Sequence, residues 1–312
     1  MQTIELGKAN LKVSRIGLGT LAFGHPTKGI QDKNNIYDCL NFALDNGINL
    51  IDTAEEYSRG LTEKFIGEVI KKRGDREDLV LVTKVSYNHL RYQDVIKAAN
   101  QSLERLQTDY IDLYLIHWPN CYFPISETIK AMDYLLTEGK IRFVGVSNYH
   151  NALVQEAMDN LQNGEIRVNE LEYNLINRNI EDEILPLLRQ HEITVLAYSP
   201  LLSGFLTTNY DENTTFPEND FRSSLELFRD KENFSRSQTL FETMKHIAKK
   251  NDVSPAEVAI NWLLKDKDII PIPGAKKKSQ IENNIHATQW NLAKDEISRL
   301  TTITNNIELS WW

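Results

Sequence analysis

The chain has 312 residues and a formal net charge of −9, from 44 acidic and 35 basic side chains. This acidic balance disfavours general binding to nucleic acid or to an anionic membrane, since both require positive surface. The two cysteines are too few for a disulfide framework or a paired-cysteine metal site. No apolar run approaches the ~20 residues of a membrane span, and the first residues lack a signal-peptide core. We therefore expect a soluble, cytoplasmic protein.

Short apolar strands alternate with amphipathic helices along most of the chain. Residues 1–15 alternate polar and apolar side chains around Gly7 and Asn10, which predicts a small hairpin before the main fold. The predicted strands are then 16–20, 48–52, 79–84, 111–117, 143–147, 168–173, 194–199 and 269–273. The predicted helices are 34–46, 61–72, 93–106, 125–138, 153–162, 181–191 and 279–287, with additional ones at 237–251 and after residue 297.

Strands alternating with helices indicate a parallel sheet, and eight such units predict a closed barrel. We expect an α/β fold: a single (β/α)8 TIM barrel with an N-terminal β-hairpin and extra C-terminal helices, all in one domain over residues 1–312. Active sites of such barrels lie where strands end and the following loops begin. The polar or small residues predicted at strand ends are Asp52, Lys84, His117, Ser147, Asn148, Glu170, Tyr198 and Gly274.

Two segments exceed the minimal barrel. Residues 201–234 form a long stretch rich in polar residues and phenylalanine, and loops of this length are more often functional than simple connections. The chain ends in Trp311 and Trp312, which we expect to pack against the side of the barrel rather than over its mouth.

Four of the strand-end or loop side chains suggest acid catalysis. A tyrosine hydroxyl has a pKa of about 10, so it donates a proton usefully only where its phenolate is stabilised. Tyr57 follows Asp52 by five positions, and a lysine and a histidine, Lys84 and His117, end the next two strands. An ammonium beside a phenol lowers the phenol's pKa, and a carboxylate behind the lysine keeps that lysine charged.

These residues and several further motifs resemble the aldo-keto reductase superfamily over about residues 10 to 300. The matching stretches are Asp52-Thr53-Ala54-Glu55-Glu56-Tyr57, Lys84, His117-Trp118-Pro119, Gly17-Leu18-Gly19-Thr20, Gly139-Lys140-Ile141-Arg142, Gly145-Val146-Ser147-Asn148, Tyr198-Ser199-Pro200-Leu201 and Ile272-Pro273-Gly274-Ala275. The resemblance implies hydride transfer between NADP(H) and an aldehyde or ketone. It also implies that Tyr57 is the general acid, Lys84 and Asp52 its support, and His117 the group that orients the carbonyl.

The resemblance further implies a dinucleotide lying across the barrel mouth. No G-x-G-x-x-G turn follows a strand, so a Rossmann pyrophosphate site is not predicted. The implied cofactor residues are Gly19, Thr20, Leu21, Asp52, Ser147, Asn148, Glu170, Tyr198, Ser199, Pro200, Leu201, Gly204, Gly274, Lys276, Gln280, Asn283 and Asn284. Three successive lysines, Lys276, Lys277 and Lys278, precede a predicted helix, and such a cluster favours a phosphate. Because the family holds the 2′-phosphate at this position, the resemblance implies a preference for NADPH over NADH.

Two positions depart from the family pattern. Glu170 stands where the family usually has glutamine, and Asn283 stands where many relatives have an acid. We expect a carboxylate at 170 to favour the positively charged, oxidised nicotinamide. In the alternative, Glu170 faces an arginine such as Arg142 or Arg178 and leaves the ring alone.

An aromatic substrate pocket is expected from side chains in the loops after the strands. The predicted lining is Phe23, Tyr57, Tyr87, His117 and Trp118, with His89, Tyr122 and Phe123 nearby. Two other functions remain open: a non-catalytic, cofactor-binding subunit of a channel, and a metal-dependent hydrolase. Against the latter, only His117 of the 7 histidines lies at a predicted strand end, and no metal site is expected. The oligomeric state stays open.

Overall fold

The computed structural model describes residues 1–7, 9, 11–27, 29 and 32–310. Asn10 of the predicted hairpin and the predicted packing of Trp311 and Trp312 lie outside the described residues. The strands are β1 (Thr3–Glu5), β2 (Lys12–Ser14), β3 (Leu18–Gly19), β4 (Leu50–Asp52), β5 (Val80–Val85), β6 (Ile111–Ile116), β7 (Ile141–Ser147), β8 (Ile166–Glu172), β9 (Thr194–Tyr198) and β10 (Ile269–Pro271). The first two form the predicted antiparallel hairpin, with Ile4 opposite Val13.

The other eight strands form one parallel sheet whose order follows the chain from β3 to β10. Its two ends meet at what we call the closing seam, the contact between β3 and β10. Here the Gly17 amide donates to the Pro271 carbonyl at 2.9 Å, and the Gly19 amide donates to the Pro273 carbonyl at 3.2 Å. A Cβ on Gly19 would lie only 2.7 Å from the Ile272 carbonyl oxygen, so this close approach requires glycine. The predicted barrel is confirmed.

A buried arginine reinforces the closing seam from outside the sheet. Arg15 is only 5% exposed, and its guanidinium donates to the backbone carbonyls of Ile269 at 2.5 Å, Asp266 at 2.6 Å and Leu264 at 3.0 Å. Burial lowers the pKa of Arg15 to about 10, which still leaves it charged at neutral pH. One side chain near the start of the chain thus binds the segment that leads into the last strand.

Helices surround the barrel. They are α1 (Lys33–Asp45), α2 (Leu61–Arg73), α3 (Tyr92–Leu106), α4 (Ile125–Thr137), α5 (Asn151–Asn160), α6 (Ile184–Gln190), α7 (Glu226–Arg229), α8 (Lys231–Asn251), α9 (Pro255–Leu263), α10 (Lys278–His286) and α11 (Lys294–Thr304). The sequence analysis did not predict α9, and its helix 181–191 was too long. Pro186 explains the shorter α6, because proline lacks an amide hydrogen and is tolerated only in the first helical turn.

Apolar side chains fill two layers, one inside the barrel and one between the barrel and its helices. The inner cluster includes Leu6 and Val13 of the hairpin region, so the hairpin closes one end of the barrel. Its other members come from alternate strand positions: Leu50, Val80, Val82, Leu113, Leu115, Val168, Leu196, Ile270 and Ile272. Because strand side chains alternate between two faces, residues two or four positions further along each strand also point inward. This alternation decides which side chains reach the open mouth.

The long stretch 201–234 is ordered around an aromatic cluster. Phe228 packs on Phe205, Tyr210 and Phe216, with ring centroids 5.8, 5.6 and 4.9 Å apart. The Phe221 amide donates to the Thr27 carbonyl at 3.3 Å, so the stretch also contacts the loop that follows β3. Across the described ranges, no helix is both long and apolar enough to cross a membrane.

Candidate active site

Alternate strand side chains point into the barrel, and this places the predicted strand-end side chains together at one open end, the mouth. Asp52 follows the inward Leu50 by two positions, Lys84 follows Val82, and Glu170 follows Val168 in the same way. All three are buried, at 2%, 0% and 3% exposure respectively. His117 directly follows β6, and Tyr198 ends β9. The barrel therefore gathers these side chains although they are distant in sequence.

Lys84 is the centre of the cluster. Its ammonium donates to Asp52 Oδ1 at 2.5 Å, to the Thr53 carbonyl at 3.0 Å and to the Tyr57 hydroxyl at 3.4 Å. An ammonium has three hydrogens, so these three acceptors account for all of them. Tyr57 in turn lies edge-on to His117, with ring centroids 5.8 Å apart. The structure thus brings the four predicted catalytic side chains together.

Burial changes the electrostatics expected from sequence. Burial raises the pKa of Tyr57 above its ordinary value, and the ammonium of Lys84 only partly offsets that effect. Burial acts to lower the pKa of Lys84, but the carboxylates of Asp52 and Glu170 outweigh it and hold that pKa raised. The expectation of a lowered phenol pKa was therefore wrong for the free protein. Tyr57 is a neutral phenol beside a permanently charged ammonium.

Glu170 faces this same cluster, not an arginine. Its Oε2 lies 3.2 Å from Lys84 Nζ as an ion pair, but no donor is aligned on that buried oxygen for a hydrogen bond. Burial and the neighbouring Asp52 raise the pKa of Glu170 to about 8. The arginine alternative is wrong, because Arg142 pairs with Asp112 at 2.9 Å and Arg178 pairs with Glu181 at 2.5 Å.

His117 has an acidic neighbour that the sequence analysis did not single out. Glu56 Oε2 lies 2.8 Å from His117 Nδ1, and Glu56 Oε1 accepts from the Ser86 hydroxyl at 2.9 Å. The contact with His117, more than any other, lowers the pKa of Glu56. The two groups are close, but no hydrogen bond from His117 Nδ1 is aligned on Glu56, so the contact acts through the charge of the carboxylate beside the ring. Sequence shows only that Glu56 is an acid beside Tyr57, and gives no direction for its side chain.

A strained turn orients Tyr57. The segment Tyr57–Gly60 is a short 3-10 turn in which Ser58 and Arg59 have φ of 52° and 58°, in the left-handed region. The Ser58 and Thr62 hydroxyls both donate to the Phe23 carbonyl, at 3.2 and 2.8 Å. Phe23 itself is 0% exposed and packs in the core, so its side chain does not line an open pocket as predicted.

A second network joins the predicted nicotinamide residues. Asn148, at φ 60°, donates to the Ser147 hydroxyl at 2.9 Å and to the His117 carbonyl at 3.3 Å, and accepts from the Tyr198 hydroxyl at 3.0 Å. The Ser147 hydroxyl donates to the Glu170 carbonyl at 3.0 Å. These polar groups satisfy one another within the protein, whereas Glu170 Oε2 does not have such a partner. Glu170 Oε2 is thus a buried acceptor that could still accept a hydrogen bond from a ligand.

The predicted lysine cluster divides into residues with different surroundings. Lys276 is partly buried; burial and then the positive charge of Arg222 lower its pKa. Its amide donates to Gln280 Oε1 at 2.6 Å. Lys278 instead pairs with Asp38 at 3.0 Å. Arg222, in the 201–234 stretch, is a cation near the mouth that the sequence analysis missed. The one signal for it in the sequence was the length of that stretch, which predicted a functional loop.

The remaining predicted cofactor residues surround the same mouth with mixed exposure. Gly19 bridges to Gly274, the Thr20 hydroxyl donates to the Asp52 carbonyl at 2.7 Å, and Leu21 is exposed. Ser199 has a φ of 50°, and Gly204 lies beside Tyr210 and Arg222. Pro200 and Asn284 are buried, Leu201 is partly buried, and Asn283 is exposed.

Aromatic side chains remain exposed where a substrate wall was predicted. Tyr87 and Trp118 are 42% and 45% exposed, and Tyr122 is 87% exposed. Asn120 ties two of these loops together, since its side chain donates to the Tyr87 carbonyl at 2.9 Å. In the part of the chain that the structure describes, no group of three or more His, Cys, Asp or Glu side chains is arranged to hold a metal ion.

The sequence matches the aldo/keto reductase family model over residues 15–305. It is 31% identical to the NADH-specific methylglyoxal reductase of Escherichia coli, over 99% of this chain and 100% of that protein. It is 32% identical to a probable voltage-gated potassium channel subunit beta of Arabidopsis thaliana, over 92% and 91%. An aldo-keto reductase from Klebsiella pneumoniae, solved with NADPH, matches with a TM-score of 0.80 at 30% identity, over 97% and 95%. The chain belongs to the aldo/keto reductase family.

Proposed function

We propose that this protein is an NADP(H)-dependent oxidoreductase that reduces an aldehyde or a ketone to an alcohol, reversibly. The observation that carries the proposal is the Lys84 ammonium, which is fully buried and divides its three hydrogens among Asp52, Thr53 and the Tyr57 hydroxyl. Such an arrangement has a clear use in stabilising a phenolate at the mouth of a barrel. A purely structural role would not require a hydroxyl among its acceptors.

In this function, each residue has a defined task. A nicotinamide held at this mouth would supply the hydride for the carbonyl carbon. Tyr57 gives its proton to the carbonyl oxygen, and the ammonium of Lys84 stabilises the phenolate that remains. Asp52 holds the ammonium in place. His117, with the Glu56 carboxylate 2.8 Å from its Nδ1, orients the carbonyl oxygen.

The polar and aromatic side chains at the mouth suit a nicotinamide. The unsatisfied Glu170 Oε2 is an acceptor for a carboxamide NH₂, and the Tyr198 ring lies at the end of a neighbouring strand. Lys276 provides a positive charge where a phosphate can bind, beside Arg222, which is itself paired with Asp220 at 2.6 Å. The Klebsiella relative solved with NADPH supports this choice, while the NADH-specific relative of Escherichia coli makes the preference between the two cofactors a matter for measurement.

The test of catalysis is a panel of aldehydes and ketones with NADPH and NADH, following loss of the reduced cofactor. The competing function, a cofactor-binding subunit without turnover, predicts binding of NADPH but no consumption with any carbonyl. The plant channel subunit makes this competitor worth including. Turnover with at least one carbonyl supports the oxidoreductase.

Tyr57→Phe tests the general acid directly. We expect turnover to fall by roughly 10²–10⁴-fold with little change in cofactor affinity, because the ring stays and only the proton is lost. Tyr134→Phe, the same chemical change on the outer helix α4, is the matched control and should leave turnover unchanged. Retention of more than about a tenth of turnover by Tyr57→Phe would exclude this role.

Lys276→Ala tests the preference for NADPH. A partly buried ammonium near Arg222 should contribute to binding the 2′-phosphate, so we expect the NADPH-over-NADH affinity ratio to fall about tenfold. Lys278→Ala is the control, because Lys278 already pairs with Asp38 on the exposed surface. Equal effects of both substitutions would mean that general positive charge, not a defined site, sets the preference.

A further inference from the structure

Two carboxyl groups compete for one buried ammonium beneath the mouth. Asp52, Lys84 and Glu170 are each at most 3% exposed. With both acids ionised the group has a net negative charge in a poorly solvated site, which is costly. Asp52 holds the shortest contact to Lys84, at 2.5 Å, and Glu170 the longer one, at 3.2 Å. Glu170 is therefore the member that holds a proton most readily.

The hydrogen-bond geometry supports the same assignment. All three ammonium hydrogens are directed at other acceptors, and Glu170 Oε2 is buried without an aligned donor. The titratable groups that interact with Glu170 come from neighbouring elements: Asp52 from β4, Tyr57 from the turn after it, Lys84 from β5, and Tyr198 from β9. On the β7 side, Ser147 and Asn148 are neutral. Lys84 is thus the cation of this set, and it is already paired.

A neutral glutamic acid has one O–H donor and one carbonyl acceptor, as the family's usual glutamine has a donor and an acceptor. An ionised Glu170 can only accept. The reduced nicotinamide ring is neutral, so it does not favour the ionised form of Glu170 over the protonated form. The oxidised ring is positively charged, and a carboxylate beside it gains an attraction that the neutral acid lacks.

We propose that the protonation of Glu170 follows the redox state of the bound nicotinamide, so that binding of NADP⁺ expels a proton and binding of NADPH does not. This inference rests on the proposed function, since it requires the nicotinamide end at this mouth. It makes Glu170 a determinant of cofactor redox preference that depends on pH, a property that glutamine at this position could not provide.

The sign of the pH dependence follows from linkage. In the free protein Glu170 keeps its proton up to a pH of about 8. The cationic ring lowers that pKa, so below about pH 8 NADP⁺ binding releases the proton, and a ligand that releases a proton binds more tightly as pH rises. The dissociation constant for NADP⁺ should therefore fall by up to about tenfold per pH unit in this window and level off above it. The dissociation constant for NADPH should not fall with pH in this way.

Isothermal titration calorimetry measures the released proton directly. NADP⁺ and NADPH are each titrated into the purified protein between pH 6.5 and 9, in two buffers of different ionisation enthalpy, so that the proton count is obtained without turnover. The 2′-phosphate and Lys276 contribute to both titrations and cancel in the difference. We expect a difference of roughly 0.5–1 proton near pH 7.

Two substitutions locate the proton. Glu170→Gln should remove the difference between the two nucleotides, and Glu172→Gln, the same change two residues along β8, should keep it. If both nucleotides bind to the wild type and release equal numbers of protons, this inference is wrong while the proposed function still stands. A difference that survives Glu170→Gln would also overturn the inference. Failure of both nucleotides to bind would instead overturn the proposed function, and this inference with it.

Discussion

At the scale of single residues, Glu56 is the side chain whose importance depends most on the fold. It lies 2.8 Å from His117 Nδ1, yet nothing in its sequence position distinguishes it from Glu55, which accepts from the Ser86 amide at 2.6 Å. Both adjacent acids bind Ser86, but Glu56 also lies beside His117, whereas Glu55 lies 3.0 Å from His89. A carboxylate this close to the His117 ring acts through that ring, as a positioning residue.

We expect Glu56→Ala to lower kcat by about tenfold, and Glu56→Gln to lower it less. The Glu56 carboxylate lies 2.8 Å from the His117 ring, and a contact of this kind between partly exposed groups is worth on the order of 1 kcal/mol, a factor of about five to ten in rate. Glutamine keeps the shape and polarity of the side chain and loses only its charge, whereas alanine loses both. Steady-state kinetics with the best carbonyl of the panel, together with cofactor dissociation constants, provide the measurement.

Glu77→Gln, an exposed acid between α2 and β5, is the matched control. A kcat for Glu56→Ala equal to the wild type, or an effect confined to cofactor binding, would contradict the positioning role of Glu56.

Glu170 should also govern the stability of the free protein. Its raised pKa means that the folded state keeps a proton which the unfolded chain loses near pH 4.3. Between that pH and about 8, the folded state binds more protons than the unfolded state, so Glu170 makes the free energy of unfolding fall as pH rises. Glu170→Gln removes this titration.

Denaturant unfolding of wild type and Glu170→Gln at pH 6 and pH 9 checks the sign. The variant should be the more stable protein at pH 9, and the gap between the two should be wider there than at pH 6, by on the order of 1–3 kcal/mol. Glu172→Gln provides the comparison. A gap that is the same at pH 6 and pH 9 would show that Glu170 is ionised throughout and would contradict the prediction.

Much of the site could be predicted at this scale, and the reason is the alternation of strand side chains. Asp52, Lys84 and His117 follow inward apolar residues at even spacing, so the strand pattern alone directs them to the mouth. The partner of Glu170 could not be predicted in the same way. Arg142 and Arg178 were equally plausible partners until the fold gave each of them another carboxylate.

At the scale of elements, α9 is the helix that the sequence analysis missed although its signals are present. Ser254 accepts from the Glu257 amide at 3.3 Å, and the Glu257 carboxylate accepts from the Ser254 amide at 3.0 Å. With Pro255 at the first helical position, this is a capping box. The helix buries Trp262 completely, so it contributes directly to the layer between barrel and helices.

Ser254→Ala should lower the free energy of unfolding by about 1 kcal/mol, the usual cost of losing an N-cap side chain. Ser298→Ala, in the exposed part of α11, is the control; it should change stability by less than about 0.5 kcal/mol. Denaturant unfolding measures both. Equal stabilities of the two variants would mean that burial of Trp262 alone holds α9 in place.

At the scale of the whole molecule, the barrel depends on the closing seam. Pro271 and Pro273 have no amide hydrogen, so they accept from Gly17 and Gly19 without donating in return. Arg15 compensates with three hydrogen bonds to backbone carbonyls. The order of strands was predictable from the alternation of strands and helices, but this arginine was not, because its acceptors are backbone atoms about 250 residues away.

Arg15→Ala should lower the free energy of unfolding by roughly 2–4 kcal/mol, because one buried and two partly buried carbonyls lose a charged donor. Arg229→Ala, at an exposed side chain 3.7 Å from Glu226, should cost less than about 1 kcal/mol. Denaturant unfolding and amide hydrogen exchange at Gly17 and Gly19 provide the measurements. Unchanged exchange at both glycines in Arg15→Ala would show that the seam does not depend on Arg15.

The position of the closing seam has a consequence for biosynthesis. Arg15 and the Ile269 carbonyl that it binds are 254 residues apart, so the first strand of the barrel leaves the ribosome long before its neighbour is made. Throughout that interval the nascent sheet has an unpaired edge at β3. This edge consists of only Leu18 and Gly19, and so short a strand gives another chain little backbone to pair with. We therefore expect the β3 edge to contribute little to aggregation while the rest of the barrel is being made.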